Sequence, residues 1–113
     1  MSSSKIGVFD SGIGGLPLAF AIRNTFPSHD IIYFGDTEHF PFGDRSAESV
    51  ERFSHAMASF LHEEGCDILV IACNTASAVA YDSLKQRLKN RATVLNVIDP
   101  VVQEVCNASA THI

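Results

Sequence analysis

Ile68-Leu69-Val70-Ile71-Ala72-Cys73-Asn74-Thr75-Ala76 is the stretch that decides the fold. Its first five residues are uniformly apolar. A strand with one wet face alternates polar and apolar residues, whereas an unbroken run fits a strand buried on both faces, as in the centre of a parallel sheet. Cys73-Asn74-Thr75 forms the turn at its carboxyl end. Beyond it, Ala76, Val79, Ala80, Leu84 and Leu88 recur at helical spacing. A buried strand leads through a polar turn into an amphipathic helix, which is the repeating element of an α/β sheet.

The same alternation extends in both directions. Upstream, Ser46 reads as the N-cap of a long helix with an apolar stripe of Val50, Phe53, Met57, Phe60 and Leu61, closed by Gly65. Before it, Ile31 to Phe34 is a short apolar run ending at Gly35-Asp36-Thr37, followed by an aperiodic loop from Glu38 to Arg45. Earlier still, Lys5 to Phe9 reads as a strand ending at Asp10-Ser11-Gly12. Leu18, Ala19, Ile22 and Phe26 then mark one face of a helix that Pro27-Ser28 stops. Downstream, Val94 to Ile98 is a fourth strand, and Asp99-Pro100 opens a helix through Val101, Val102 and Val105. The order βαβαβαβα predicts a doubly wound, mostly parallel sheet with helices on both faces. A single domain over residues 1–113 is expected.

Composition supports a globular core: 46% of the 113 residues are hydrophobic and 19% charged, with eight Phe and no Trp. The formal net charge is -5, and the eight Lys and Arg are scattered, which argues against a nucleic acid as main ligand. Three cysteines (Cys66, Cys73, Cys106) give an odd count without a CxxC pair, so neither a disulfide framework nor a structural zinc is indicated. The start, Met1-Ser2-Ser3-Ser4-Lys5, has no long apolar segment, and no run approaches a membrane span. A cytoplasmic protein with reduced thiols and no membrane partner is the expectation. The five His are dispersed; His55 and His62 are expected to be solvated, and no metal site is expected.

Open α/β sheets bind ligands beyond the carboxyl ends of their strands. Here those ends carry Asp10-Ser11-Gly12, Gly35-Asp36-Thr37, Cys73-Asn74-Thr75 and Asp99-Pro100. Asp10-Ser11-Gly12-Ile13-Gly14-Gly15 is either a tight strand-to-helix turn or a loop whose amides hold a small anion. It fails the dinucleotide fingerprint, because Pro17 stands at the third glycine position, and it fails the Walker pattern. Cys73 is either an ordinary buried cysteine or a reactive thiol facing the crevice, where the positive end of the following helix favours an anionic sulfur. Cysteine phosphatase chemistry is excluded, because no Arg follows Cys73 before Arg87. Cys66, beside Gly65 at a helix end, and Cys106, on an amphipathic helix, read as structural. If Cys73 is functional, its thiol opens onto a crevice beside the acidic tip of the first strand.

Asp10-Ser11-Gly12-Ile13-Gly14-Gly15-Leu16, Gly35-Asp36-Thr37, Pro41-Phe42-Gly43 and Ala72-Cys73-Asn74-Thr75-Ala76 stand in that order along the chain. Together they resemble the N-terminal domain of the glutamate racemases, over about Lys5 to Pro100. The resemblance implies cofactor-independent interconversion of L- and D-glutamate by two thiol bases, supplying D-glutamate for peptidoglycan and hence for cell-wall biogenesis and cell shape. It implies Cys73 as one base and Asp10 as an assistant to its proton transfer. Asp10 and Ser11 contact the substrate amino group or carboxylate on this reading, Phe42 and Gly43 offer backbone contacts, and Asn74 and Thr75 bind substrate beside the thiol. Phe42 stands where the family usually has tyrosine. The family's second domain, with the other cysteine, is absent from these 113 residues, so the resemblance gives this chain half a site and no activity when isolated. A homodimer is compatible with it. An aspartate racemase-like isomerase and a catalytically incomplete carboxylate-binding module are the alternatives.

Overall fold

The central run forms strand β3 (Ile68–Ile71), and a second strand, β1 (Lys5–Asp10), lies parallel beside it with Phe9 opposite Ile71. The computed structural model describes residues 5–12, 15–36 and 45–96. Strand β2 (Asp30–Gly35) pairs with the other side of β1, and β4 (Thr93–Asn96) with the other side of β3. All pairings are parallel and the order is β2-β1-β3-β4. Three helices make the crossovers: α1 (Leu16–Thr25), α2 (Ala47–Glu63) and α3 (Asn74–Arg87). The α/β class and the parallel sheet are as expected from the sequence. Val97, Ile98, the helix expected after Asp99-Pro100, and Cys106 lie outside the described residues.

The unbroken apolar run is explained by two cores, one on each face. Phe9, Leu69 and Ile71 meet Val50, Met57, Ala58 and Leu61 of α2 and Ala76, Ala80 and Leu84 of α3. Ile6, Val8 and Val70 point the other way, against Ala19 and Ile22 of α1. Alternate residues of one strand thus serve opposite cores, so no position can be polar. Each fully buried side chain of this size stabilises by about 1.5–3 kcal/mol.

The ends of α2 follow their local chemistry. The Ser46 hydroxyl accepts the Ser49 N–H at 3.1 Å, capping the first turn. At the other end Gly65 adopts φ +95°, while the Cys66 N–H donates to the Leu61 carbonyl and the Gly65 N–H to that of His62, both at 3.0 Å. This double closure needs a left-handed residue, which glycine supplies without strain. It turns Cys66 inward, to 1% exposure, over Gly7 of β1. A Cβ on Gly7 would lie 3.0 Å from the Cys66 sulfur and 3.1 Å from Leu61 Cβ, so helix and strand backbones meet closely here. Burial pushes the Cys66 thiol above its ordinary pKa, in keeping with a packing role.

Candidate functional site at the strand tips

The tips of β1 and β3 are neighbours. The Ala72 N–H donates to the Phe9 carbonyl at 2.8 Å, continuing the ladder one step past β3, and on the other side the Asp36 N–H donates to the Asp10 carbonyl at 2.9 Å. Asp10 therefore ends a strand that is clamped on both sides, next to the residue that precedes Cys73.

The Asp10 carboxylate is 5% exposed and surrounded by polar contacts. A carboxylate removed from water needs hydrogen bonds. Oδ1 accepts the Ser11 N–H at 2.7 Å. Oδ2 faces the Tyr33 hydroxyl at 3.4 Å, and that hydroxyl donates to the Gly12 carbonyl at 2.8 Å. Gly15, the N-cap of α1, closes the enclosure. A Cβ there would sit 2.9 Å from Asp10 Oδ2 and 2.7 Å from Ala72 Cβ. Gly35 is equally constrained, since a Cβ on it would strike the Gly12 carbonyl and lie 3.2 Å from the Tyr33 ring. Burial, with the Asp10 carboxylate beside it, pushes the Tyr33 pKa up to about 12.

Cys73 has a different setting. It is the N-cap of α3 in extended conformation (φ -104°, ψ 129°), and its side chain makes no capping hydrogen bond. Its carbonyl accepts the Ser77 N–H at 2.8 Å, and the Ser77 hydroxyl reaches back to the Ile71 carbonyl at 3.3 Å, fixing the turn. Cys73 is 8% exposed and packs with the α2/α3 core. The pleat explains this: Leu69, Ile71 and Cys73 share one side of the sheet, whereas Asp10 follows Ile6 and Val8 to the α1 side.

The expectation of a thiol opening onto a crevice beside the acidic tip is thus met in one respect and corrected in another. The two tips adjoin, but the two side chains leave opposite faces of the sheet and the thiol is nearly closed. Ser11 is half-buried beside Asp10. Asn74 is exposed and Thr75 half-buried in the first turn of α3, while the cap itself is Cys73. Phe42 and Gly43 lie outside the described residues.

Two further residues escaped the sequence reading. Tyr33 sits inside an apolar run and gives no motif. Its signal is chemical, because a half-buried tyrosine two residues from the strand tip needs a partner for its hydroxyl. His55, expected to be solvated, instead joins α2 to α3. Arg87 NH1 lies 3.0 Å from His55 Nδ1, and His55 Nε2 lies 2.8 Å from the Ser83 hydroxyl, which donates to the Ala80 carbonyl at 3.2 Å. Arg87 NH2 also donates to Ser59 at 2.6 Å. With Arg87 always a donor, Nδ1 accepts and Nε2 carries the proton. Burial, reinforced by the Arg87 charge and opposed by Glu51, lowers the His55 pKa.

Among the described residues no helix is long and apolar enough to cross a membrane. No protein-family profile matches the chain. Individual proteins do. The glutamate racemase of Aquifex aeolicus is 47% identical over 107 residues, 95% of this chain and 41% of that protein. The solved structure of the glutamate racemase of Aquifex pyrophilus superposes with a TM-score of 0.80 at 49% identity, covering 88% of this chain and 39% of that one. The crystal structure of the Francisella tularensis glutamate racemase in complex with D-glutamate gives 0.79 at 40% identity, covering 87% of this chain and 37% of that one. Over the roughly two-fifths of their length that it spans, this chain belongs to the glutamate racemase family.

Proposed function

We propose that this chain supplies one side of a cofactor-independent glutamate racemase site, with Cys73 as one of two thiol bases. The observation that carries the reading is the adjacency of the Asp10 and Cys73 tips on one rim, in a chain 47% identical to a glutamate racemase. A ligand lying over that rim reaches both faces of the sheet. This reconciles a carboxylate on one side with a thiol on the other.

The residue types fit the reaction. Racemisation breaks the α-carbon C–H bond on one face and forms a new one on the other, so two bases are needed, one carrying a proton and one not. A thiolate at Cys73 takes the α-proton to become a thiol, and a second thiol on the opposite face returns one. The direction reverses for the other enantiomer. Hydrogen-bond donors near the substrate carboxylate stabilise the developing carbanion. Ser11, Asn74 and Thr75 are the candidates among the described residues, with Phe42 and Gly43 from the loop. Phe42 lacks a hydroxyl, so any contact from that position is through its backbone. Asp10, held at both oxygens, serves the substrate amino group and the proton transfer. The second thiol belongs to the three-fifths of the relatives that this chain does not span. The F. tularensis relative was solved with D-glutamate, which supports glutamate as the substrate class. Supply of D-glutamate to peptidoglycan in the cytoplasm, by a homodimer, completes the reading.

The test is α-proton exchange of L- and D-glutamate in heavy water, followed by NMR. The protein is this chain joined to the remaining part of the A. pyrophilus racemase. Exchange that disappears in Cys73→Ala is expected. Undiminished exchange in that variant defeats the reading. Glutamate binding by calorimetry without exchange in the joined protein indicates instead a carboxylate-binding module, which the low exposure of Cys73 favours. Parallel assays with aspartate separate the two substrates.

A further inference from the structure

We propose that Tyr33 is a positioning residue for Asp10, latching the start of the β1–α1 turn from the neighbouring strand β2. Three contacts converge on it. Its hydroxyl donates to the Gly12 carbonyl at 2.8 Å, the same oxygen lies 3.4 Å from Asp10 Oδ2, and its ring runs over the α1-side core beside Ile6, Val8 and Val70. The ring is therefore fixed by packing, and the hydroxyl is delivered to the tip from a rigid element.

The arrangement suits a buried carboxylate that must hold one orientation. A phenol holds one proton and spare lone pairs. The Tyr33 hydroxyl proton faces two acceptors, the Gly12 carbonyl at 2.8 Å and, more distantly, Asp10 Oδ2 at 3.4 Å. Phenylalanine keeps the packing and loses both contacts. The high pKa of Tyr33 fits a hydroxyl that stays protonated, and so stays a donor, throughout the neutral range. Gly35 belongs to the same device. Its missing side chain is what lets the Gly12 carbonyl come within reach of the phenol.

The latch stands on geometry; its effect on rate rests on the racemase reading. Two measurements separate them. In the full 113-residue chain, amide hydrogen exchange at Ser11, whose N–H is bound to Asp10 Oδ1, is compared between wild type and Tyr33→Phe. Faster exchange at Ser11 by on the order of 10-fold, with Leu69 to Ile71 unchanged, is expected for loss of one hydrogen bond's worth of local order. Equal exchange at Ser11 overturns the latch. Should Tyr33→Phe fail to fold, NMR of the Tyr33 hydroxyl proton in the wild-type chain decides: a slowly exchanging proton held against Gly12 supports the contact, and a freely exchanging one overturns it. In the joined racemase, Tyr33→Phe is expected to lower kcat on the order of 10-fold with KM little changed, the mark of misplacement in the transition state. Unchanged kcat overturns the positioning role. A joined protein that is inactive with Tyr33 in place defeats the racemase reading, and the exchange result then decides the latch by itself.

Discussion

The tips of β1 and β3 adjoin, yet they are built on opposite principles. At β1 the fold invests polar contacts: a backbone N–H on one carboxylate oxygen, a phenol facing the other, and two glycines whose absent side chains make room. At β3 it invests apolar packing, leaving a sulfur with no capping bond at the start of a helix. The difference follows from the groups themselves. A carboxylate at 5% exposure is costly without donors, whereas a thiol is a small soft hydrophobe that tolerates a core. One functional group is anchored by its polar contacts and the other by its backbone and by apolar packing, with no hydrogen bond from the sulfur to cap the helix.

Experiments can break that contrast at either tip. The largest effect is expected from Cys73→Ala in the joined racemase. Glutamate α-exchange should fall by at least about 100-fold, as for loss of a general base. The melting temperature should stay close to wild type, since the change removes one sulfur and no hydrogen bond of the described structure. A large loss of stability with retained exchange would make Cys73 a packing residue. Gly15→Ala attacks the other tip. Its Cβ would press on Ala72 and Asp10 at 2.7 and 2.9 Å, and overpacking of this kind costs roughly 1–3 kcal/mol. Chemical denaturation of the 113-residue chain measures it, and an unchanged midpoint would show that the enclosure around Asp10 is loose. Tyr33→Phe should be milder in stability, about 1 kcal/mol, for one hydrogen bond.

The smallest effects are expected from pH, and they have opposite signs on the two sides of the sheet. Tyr33 on the α1 side has a folded pKa of about 12 against 10.0 in the unfolded chain. The unfolded state releases its proton first, so this stabilisation is complete below pH 10.0 and fades as pH rises towards 12. His55 on the α2/α3 side has a folded pKa below 6.5. The unfolded state takes up its proton first, so its contribution is complete above pH 6.5 and fades as pH falls through the folded value. Denaturation midpoints across pH should show the acid loss diminished in His55→Gln and the alkaline loss diminished in Tyr33→Phe. A variant that keeps its wild-type profile removes that residue from the explanation.

What the sequence disclosed, and what it withheld, follows the same division. Ile68 to Ala72 showed its double burial because alternate side chains meet two cores, and Ser46 and Gly65 marked the ends of α2 because capping is local chemistry. Asp10 and Cys73 were legible as strand-tip residues for the same reason: tips follow from the order of elements. Which side of the sheet each faces was not legible, because it depends on register. Phe9 opposite Ile71 sets Asp10 level with Ala72 rather than with Cys73. Tyr33 and His55 were missed because their partners stand 23 and 32 residues away, at Asp10 and Arg87. Contacts at such separations leave no spacing to read.

The position of β1 between β2 and β3 has a consequence for synthesis. The earliest of these strands to leave the ribosome occupies the middle of the sheet, and its second neighbour is complete only once Ile71 has emerged. Until then the flank of β1 that will pair with β3 is an open edge, able to pair with any other extended strand. Sulfur and carboxylate become neighbours only when that gap closes, so Asp10 is made well before the rim it belongs to exists.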